Sequence, residues 1–298
     1  MLTANLRGIF WLMLSLPCFQ LMNVLLRHVA GELPVVETVF LRNLFGFLVL
    51  LPWLLRTGTG AFHTRRPGVH LVRAACHVGG ISLWVWALTL IPMASAQALN
   101  FTSPLFVVIG AILFMGERSD RQRWISVAVG FAGALIVIRP GFGEISPGVL
   151  AVLGSAVLIA GSKMLTKVAT RSDSVFTTVL YFNLLMAALS LAPALFVWQT
   201  PSLDHLALLL VCAIVGALAH VALTQAVRHA DLTALQPFEF GALLWAAGFG
   251  FVIFAEVPDV WAFVGGAVIV LGASAVARAE ARARPVIRAP SGQGGQTP

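Results

Sequence analysis

The sequence predicts an all-α polytopic membrane protein, with ten transmembrane helices in two inverted five-helix repeats. Three observations lead there: an apolar composition that water cannot solvate, recurrent apolar runs of about 20 residues, and self-similarity at a shift of about 140 residues. Of 298 residues, 59% are hydrophobic and only 10% charged, against roughly 25% charged in a typical globular chain. Twelve acidic and 19 basic side chains cannot coat a water-facing surface around so much hydrocarbon, so most of the chain must have lipid as its solvent.

The spans follow in order. The first, 8–29, has a weakly basic start at Arg7 and no small-residue cleavage site after it, so it reads as a retained helix and not a signal peptide. Spans 36–55, 71–91, 94–115 and 122–139 complete the first half, and 147–169, 174–197, 204–227, 232–255 and 259–277 form the second. Residues 1–142 thus make the first repeat and 143–278 the second, while 279–298 form a polar, Gly/Pro-rich tail expected to be disordered.

Orientation follows from the basic residues. With the N-terminus inside, fifteen of the 19 Lys and Arg fall in the cytoplasmic gaps and tail, Arg65, Arg66, Arg73, Arg118, Arg171 and Arg282 among them. Only Arg27 and Arg139 fall outside, and Arg42 and Lys163 lie within spans. That bias places both termini in the cytoplasm and the chain in an inner membrane. The net charge of +7 is explained by topology, and no basic domain for nucleic acid exists. Cys18, Cys76 and Cys212 are widely spaced inside apolar runs, which suits packing and excludes a disulfide framework or a metal site.

The internal similarity pairs Ser15 with Ser155, Thr38 with Thr178 and Asn43 with Asn183 at a shift of 140, and Gln97 with Gln236, Glu117 with Glu256 and Asp120 with Asp259 at 139. Its most specific part is E-x-x-D, at Glu117 to Asp120 and again at Glu256 to Asp259, each opening a Gly/Ala-rich last helix. Five spans per half is an odd number, so the second half must enter the membrane upside down.

These two halves, Arg42 seven residues into the second span, the stretch P-L-F-V-V-I-G-A-I-L-F-M-G-E from Pro104 to Glu117 and its counterpart F-A-E ending at Glu256 resemble the EamA-type branch of the drug/metabolite transporter superfamily. The resemblance covers roughly residues 8 to 277. Within the superfamily the chain looks most like the bacterial aromatic amino acid exporters, the YddG-like group. Ten helices and outward transport of small metabolites are what that resemblance implies. The second half departs from the first at Leu243, which stands where Pro104 does.

Ionisable groups inside a span cost roughly 2.5–3.5 kcal/mol each on insertion scales, so each needs a reason. Lys163 and Glu239 share a depth of about 10 Å from the cytoplasmic face. They can face a polar cavity, Lys163 toward a substrate carboxylate and Glu239 toward a proton, or they can pair to tie two helices together. Gln97, Asn100 and Pro104 share a helix face, and Gln236 and Glu239 repeat that face in the second half. His77, Gly80 and Trp84 share another, with room for a ligand ring or for a neighbouring helix at the glycine; Asn23 is the repeat partner of Lys163. Arg42 is expected to snorkel or to cap carbonyls, Trp86 to face lipid, and Gln225 and His220 are weaker candidates. The small-residue patterns at Gly130 and Ala134, and at Gly265, Gly266 and Gly272, suit close helix packing.

No nucleophile with its base, metal cluster, cofactor loop or Walker motif is present, which disfavours an enzyme and an ATP-driven pump and leads us to expect no cofactor and no metal. The reading is a secondary transporter working by alternating access on small metabolites, aromatic amino acids in particular. Its candidate substrate-binding residues are His77, Trp84, Asn100, Lys163, Glu239, Gln97, Gln236 and Asn23. Expected partners are a small-molecule substrate, the lipid bilayer and protons. A monomer suffices, and a dimer remains open. The alternative is a nucleotide-sugar or sugar-phosphate translocator, disfavoured because such anionic cargo needs several cavity cations and only Arg42 and Lys163 lie within spans.

Overall fold

The computed structural model describes residues 2–57, 64–115, 121–139, 146–169, 172–173, 175–229, 238 and 241–283. Among them the regular structure is entirely helical: α1 (Leu2–Ala30), α2 (Val35–Thr57), α3 (Pro67–Leu90), α4 (Met93–Asn100), α5 (Ser103–Met115), α6 (Arg121–Ile138), α7 (Pro147–Ala169), α8 (Val175–Phe196), α9 (Leu203–His229), α10 (Gly241–Phe254) and α11 (Val260–Ala283). Five segments are long and apolar enough to cross a membrane, namely Leu6–Ala30, Pro67–Leu90, Met93–Phe114, Pro147–Thr166 and Leu203–Leu223. Val127–Ile138, Leu180–Phe196, Gly241–Phe254 and Val260–Gly272 are shorter apolar helices.

Punctuation in the sequence sets the ends. Gly31 closes α1, its N–H bonding back to the Arg27 carbonyl at 3.1 Å, and Pro34 accepts the Thr38 N–H at 2.9 Å to open α2. Proline stands in the first turn of α3, where its missing N–H costs nothing. The fourth span, read from the sequence as one run over 94–115, is two helices. Pro104 cannot donate to the Asn100 carbonyl, and the chain passes from α4 to α5 through a tight turn at Phe101 and Thr102, where the Thr102 hydroxyl donates to Leu99 O at 2.7 Å.

Helix directions follow from which ends meet. Arg27, near the end of α1, pairs with Glu256, just after α10, at 2.5 Å. The Met93 N–H at the start of α4 donates to the same carboxylate at 2.9 Å, and Gly148 at the start of α7 packs on Leu90 and Ile91 at the end of α3. So α7 begins on the face where α1 and α3 end. We refer to this as the Glu256 face. On the opposite face, Thr64 and His70 before and within the start of α3 bond Asp173, between α7 and α8.

The principal helix pairings are α1 with α9, α3 with α7, α2 with α8 and α6 with α11. Exchange of the halves maps the first pairing onto the second and each of the last two onto itself. The α6–α11 crossing is close because glycines face each other: Gly133 and Gly265 each lie so near the other's carbonyl oxygen that neither has room for a side chain. Leu12, Leu26, Leu88, Met93, Leu99 and Leu243 fill the interior, while Phe10, Trp86, Phe114, Phe196 and Phe251 lie on the outside. Large apolar side chains on the outside as well as in the interior are what a bundle solvated by acyl chains shows.

Candidate functional site

Two polar assemblies lie inside the bundle. The first is a chain of amides joining three helices of the first half. The Trp84 indole N–H on α3 donates to Asn23 Oδ1 on α1 at 3.1 Å, Asn23 Nδ2 donates to Gln20 Oε1 at 3.2 Å, and Gln20 Nε2 donates to Gln97 Oε1 on α4 at 2.9 Å. All four side chains are buried. The Trp84, Asn23 and Gln20 donors each find an acceptor, which is the condition for keeping such groups in an apolar interior. Three of the four were candidates from the sequence. Gln20 was missed, although its spacing of three residues from Asn23 puts both on one face of α1.

The second assembly is basic and gathers around His77. That imidazole sits half-buried on α3, edge-on to the Phe182 ring of α8 at 4.7 Å. Arg42 of α2, Arg73 of α3, Lys163 of α7 and His220 of α9 all lie close enough to act electrostatically on it. Basic groups on two helices from each half therefore act on one imidazole. Lys163 and His220 are exposed and Arg42 and Asn100 partly so. The Phe19 ring of α1 meets His220 edge-on at 5.0 Å.

Arg42 does not reach for an interface. Its Nη1 donates to Asn43 Oδ1 at 3.2 Å and its Nη2 points at the Met22 thioether, 3.6 Å away. A thioether is a weak acceptor for a guanidinium. Beside it the Asn43 side chain is buried, and its Nδ2 has no acceptor. Arg73, counted from the sequence among the topogenic residues of a cytoplasmic gap, is also buried. Its Nη2 donates to the Thr178 carbonyl at 3.0 Å and its guanidinium covers the Phe182 ring at 4.5 Å, while Nε and Nη1 have no acceptor.

His77 and Trp84 share a face of α3 as expected, but the space over Gly80 between them is occupied by Ile159 and Leu158 of α7, and the Gly80 carbonyl accepts from Ser155 at 2.7 Å. Trp84 thus belongs to the amide chain and His77 to the basic cluster. Gln236 and Glu239 lie outside the described residues, as does Glu117. No group of three His, Cys, Asp or Glu able to hold a metal occurs among the described residues.

Nearer the Asp173 face, His70 Nε2 lies 2.8 Å from Asp173 Oδ2, the Thr64 hydroxyl donates to the same oxygen, and the Arg65 N–H donates to Oδ1 at 3.3 Å. Burial alone would raise the Asp173 carboxyl. The hydrogen bonds from Thr64, His70, the Arg65 N–H and Ser172 outweigh it and hold the pKa at about 2.

Known proteins share both the sequence pattern and the architecture. The EamA-like transporter family matches residues 6–139 and again 146–278. The chain is 32% identical over 273 residues to the S-adenosylmethionine uptake transporter of Rickettsia prowazekii, covering 92% of each. It is 32% identical over 278 residues to the riboflavin transporter of Rhizobium johnstonii, covering 92% of each. It is 30% identical over 279 residues to the pseudopaline exporter CntI of Pseudomonas aeruginosa, covering 91% of this chain and 96% of that one. A solved crystal structure 20% identical to the chain, with a TM-score of 0.62 over 94% of this chain and 98% of that one, has the same fold. Two matches to one family domain, relatives aligned along nearly their whole length and an all-helical apolar bundle agree: the chain belongs to the EamA-like transporter family and is a multi-pass membrane transporter of small molecules, not an enzyme.

Proposed function

We propose that the protein is a secondary transporter of the bacterial inner membrane, moving a small zwitterionic or amphipathic metabolite by alternating access about the cluster at His77. What supports this reading is that His77, which meets the Phe182 ring of α8 at 4.7 Å, lies within electrostatic reach of Arg42 and Arg73 from the first half and of Lys163 and His220 from the second. A site built equally by two halves is exposed to opposite faces when the halves rock. The helix directions and exchange-related pairings support an inverted repeat of 1–142 and 143–278, and the positive-inside bias supports the Asp173 face as the cytoplasmic one.

His77, Asn100, Lys163 and Glu239 are the residues we assign to substrate, with Glu239 also the candidate proton carrier. Trp84, Asn23 and Gln97 stand one layer back, holding the helices that carry the site, and Gln236 stays a substrate candidate on its place in the sequence. Aromatic amino acid export is one member of this substrate class, and the names of the relatives favour nucleoside-linked amino acids, flavins and metallophores over it. Arg73 adds a cation that the sequence did not place in the interior, which favours acidic cargo and keeps a sugar-phosphate or nucleotide-sugar translocator as the second reading. Purified protein in liposomes, offered labelled S-adenosylmethionine, riboflavin, tryptophan and a nucleotide sugar with and without a pH gradient, tests this. Saturable flux of one of the first three is expected. Exchange of the nucleotide sugar alone supports the second reading, and no flux of any contradicts both.

A further inference from the structure

Resting on that transporter reading, we infer that Arg42 and the Asn43 amide form the subsite for a carboxylate of the substrate. Arg42 lies about 10 Å inside the Glu256 face, counted along α2, where hydrocarbon surrounds the bundle. A guanidinium does not give up its proton, so burial cannot neutralise it as it would a lysine. It must therefore meet an anion or a full set of acceptors. Among the described residues its hydrogen-bond partners are one amide oxygen at 3.2 Å and one thioether at 3.6 Å, and no carboxylate there pairs with it. The adjacent Asn43 Nδ2 is buried and has no acceptor.

A partly exposed guanidinium beside a buried amide N–H group that has no acceptor calls for an acceptor-only ligand. A carboxylate has two oxygens with about four lone-pair sites and can take both donors at once. The pairing is also self-consistent about the amide: Arg42 can only donate, so the Asn43 oxygen must face it and the NH2 must be the end left open.

The repeat supplies the other end of the ligand. At the shift of 140 that pairs Asn43 with Asn183, Arg42 corresponds to Phe182, whose ring meets His77 at 4.7 Å and the Arg73 guanidinium at 4.5 Å. One half thus offers a charged anchor at the position where the other offers a ring face. The substrate that suits both has an acid at one end and a planar, uncharged group at the other, the acid lying toward the Glu256 face.

The test uses binding by the purified full chain in detergent, read as thermal protection at fixed ionic strength, for two pairs of compounds differing only in the carboxylate: S-adenosylmethionine with its decarboxylated form, and tryptophan with tryptamine. At least one acid is expected to bind tenfold or more tightly than its decarboxylated partner, and Arg42→Gln is expected to abolish that difference. Asn43→Asp places an internal carboxylate beside Arg42. It should raise the unfolding temperature while removing the preference for the acid, so the test does not depend on a variant that folds poorly. Equal binding within both pairs, no binding of either acid, or an acid preference that survives in Asn43→Asp overturns the subsite. Preference for riboflavin phosphate over riboflavin, lost in Arg42→Gln with no carboxylate effect, overturns it in favour of a phosphate. Native-rate flux of any substrate through Asn43→Asp in liposomes keeps the transporter reading while the subsite fails.

Discussion

Glu256 joins three helices through one carboxylate: Oε1 pairs with Arg27 at 2.5 Å and Oε2 accepts the Met93 N–H at 2.9 Å. The carboxylate gets there because Ala255 turns into the left-handed region, at φ 53, and lets the Glu256 N–H reach the Gly250 carbonyl at 3.0 Å. Arg27 is held further by the Phe254 ring, 4.2 Å below its guanidinium. Both charged side chains are about 15% exposed, so solvent screens the pair only in part. Glu256→Gln should lower stability by about 2 kcal/mol, less than the 3–5 typical of breaking a fully buried pair. A thermal-unfolding cycle with Arg27→Gln should give a coupling above about 1 kcal/mol, whereas Asp259→Asn, in the more exposed pair with Arg139, should cost under 1 kcal/mol.

Asn23 both accepts from Trp84 and donates to Gln20, so Asn23→Leu strands an indole N–H and an amide oxygen at once. Each buried group left unpaired costs about 1–3 kcal/mol. A fall of several degrees in unfolding temperature is expected, with substrate affinity changed less than threefold if the chain of amides is a scaffold. A large loss of affinity without a loss of stability would place Asn23 on the substrate.

A methyl group at Gly265 would collide with the Gly133 carbonyl and Val137, whereas one at Gly248 meets nothing within 4 Å. Backbone cannot step aside as a flexible side chain can. Gly265→Ala should therefore destabilise by about 1–3 kcal/mol, and Gly248→Ala should be neutral or stabilising by up to about 1 kcal/mol through the lower conformational entropy of alanine. Unfolding of the two variants side by side checks this.

Asp173 has its carboxyl held at about 2, below the ordinary 3.8. A depressed carboxyl stabilises the fold at pH values above its unfolded pKa, and that contribution fades as pH falls through the folded one. The stability gap between the native protein and Asp173→Asn should thus be constant from pH 8 to 5 and close between about pH 4 and 2. A gap that stays open down to pH 2 would contradict this.

Hydropathy made most spans legible, because a lipid solvent leaves each helix apolar on its own terms. Spacing found the Asn23, Trp84 and Gln97 positions, and the repeated E-x-x-D marked Glu256 and Asp259. What it could not supply were partners far apart in the chain. Arg73 reads as topogenic because it sits near the start of a span, and only Phe182 and Thr178 on α8 turn it inward. His70 meets Asp173 across 103 residues, a pairing without local periodicity. Pro104 announced a fault in its span: Met93–Phe114 stays one apolar span, and the turn at Phe101 and Thr102 divides it into α4 and α5. Glu239 and Gln236 lie outside the described residues and remain as the sequence proposes them.

The central claim is that the cluster at His77 is exposed to each face in turn. Thr166→Cys, three residues from Lys163 and so on the same face of α7, in a background with Cys18, Cys76 and Cys212 replaced by alanine, places a thiol near that cluster without removing a residue assigned to substrate. In sealed liposomes of known orientation, a membrane-impermeant maleimide added to either side should label it, and transported substrate should slow labelling from both sides. Labelling from one side only, unaffected by substrate, would contradict alternating access at this site.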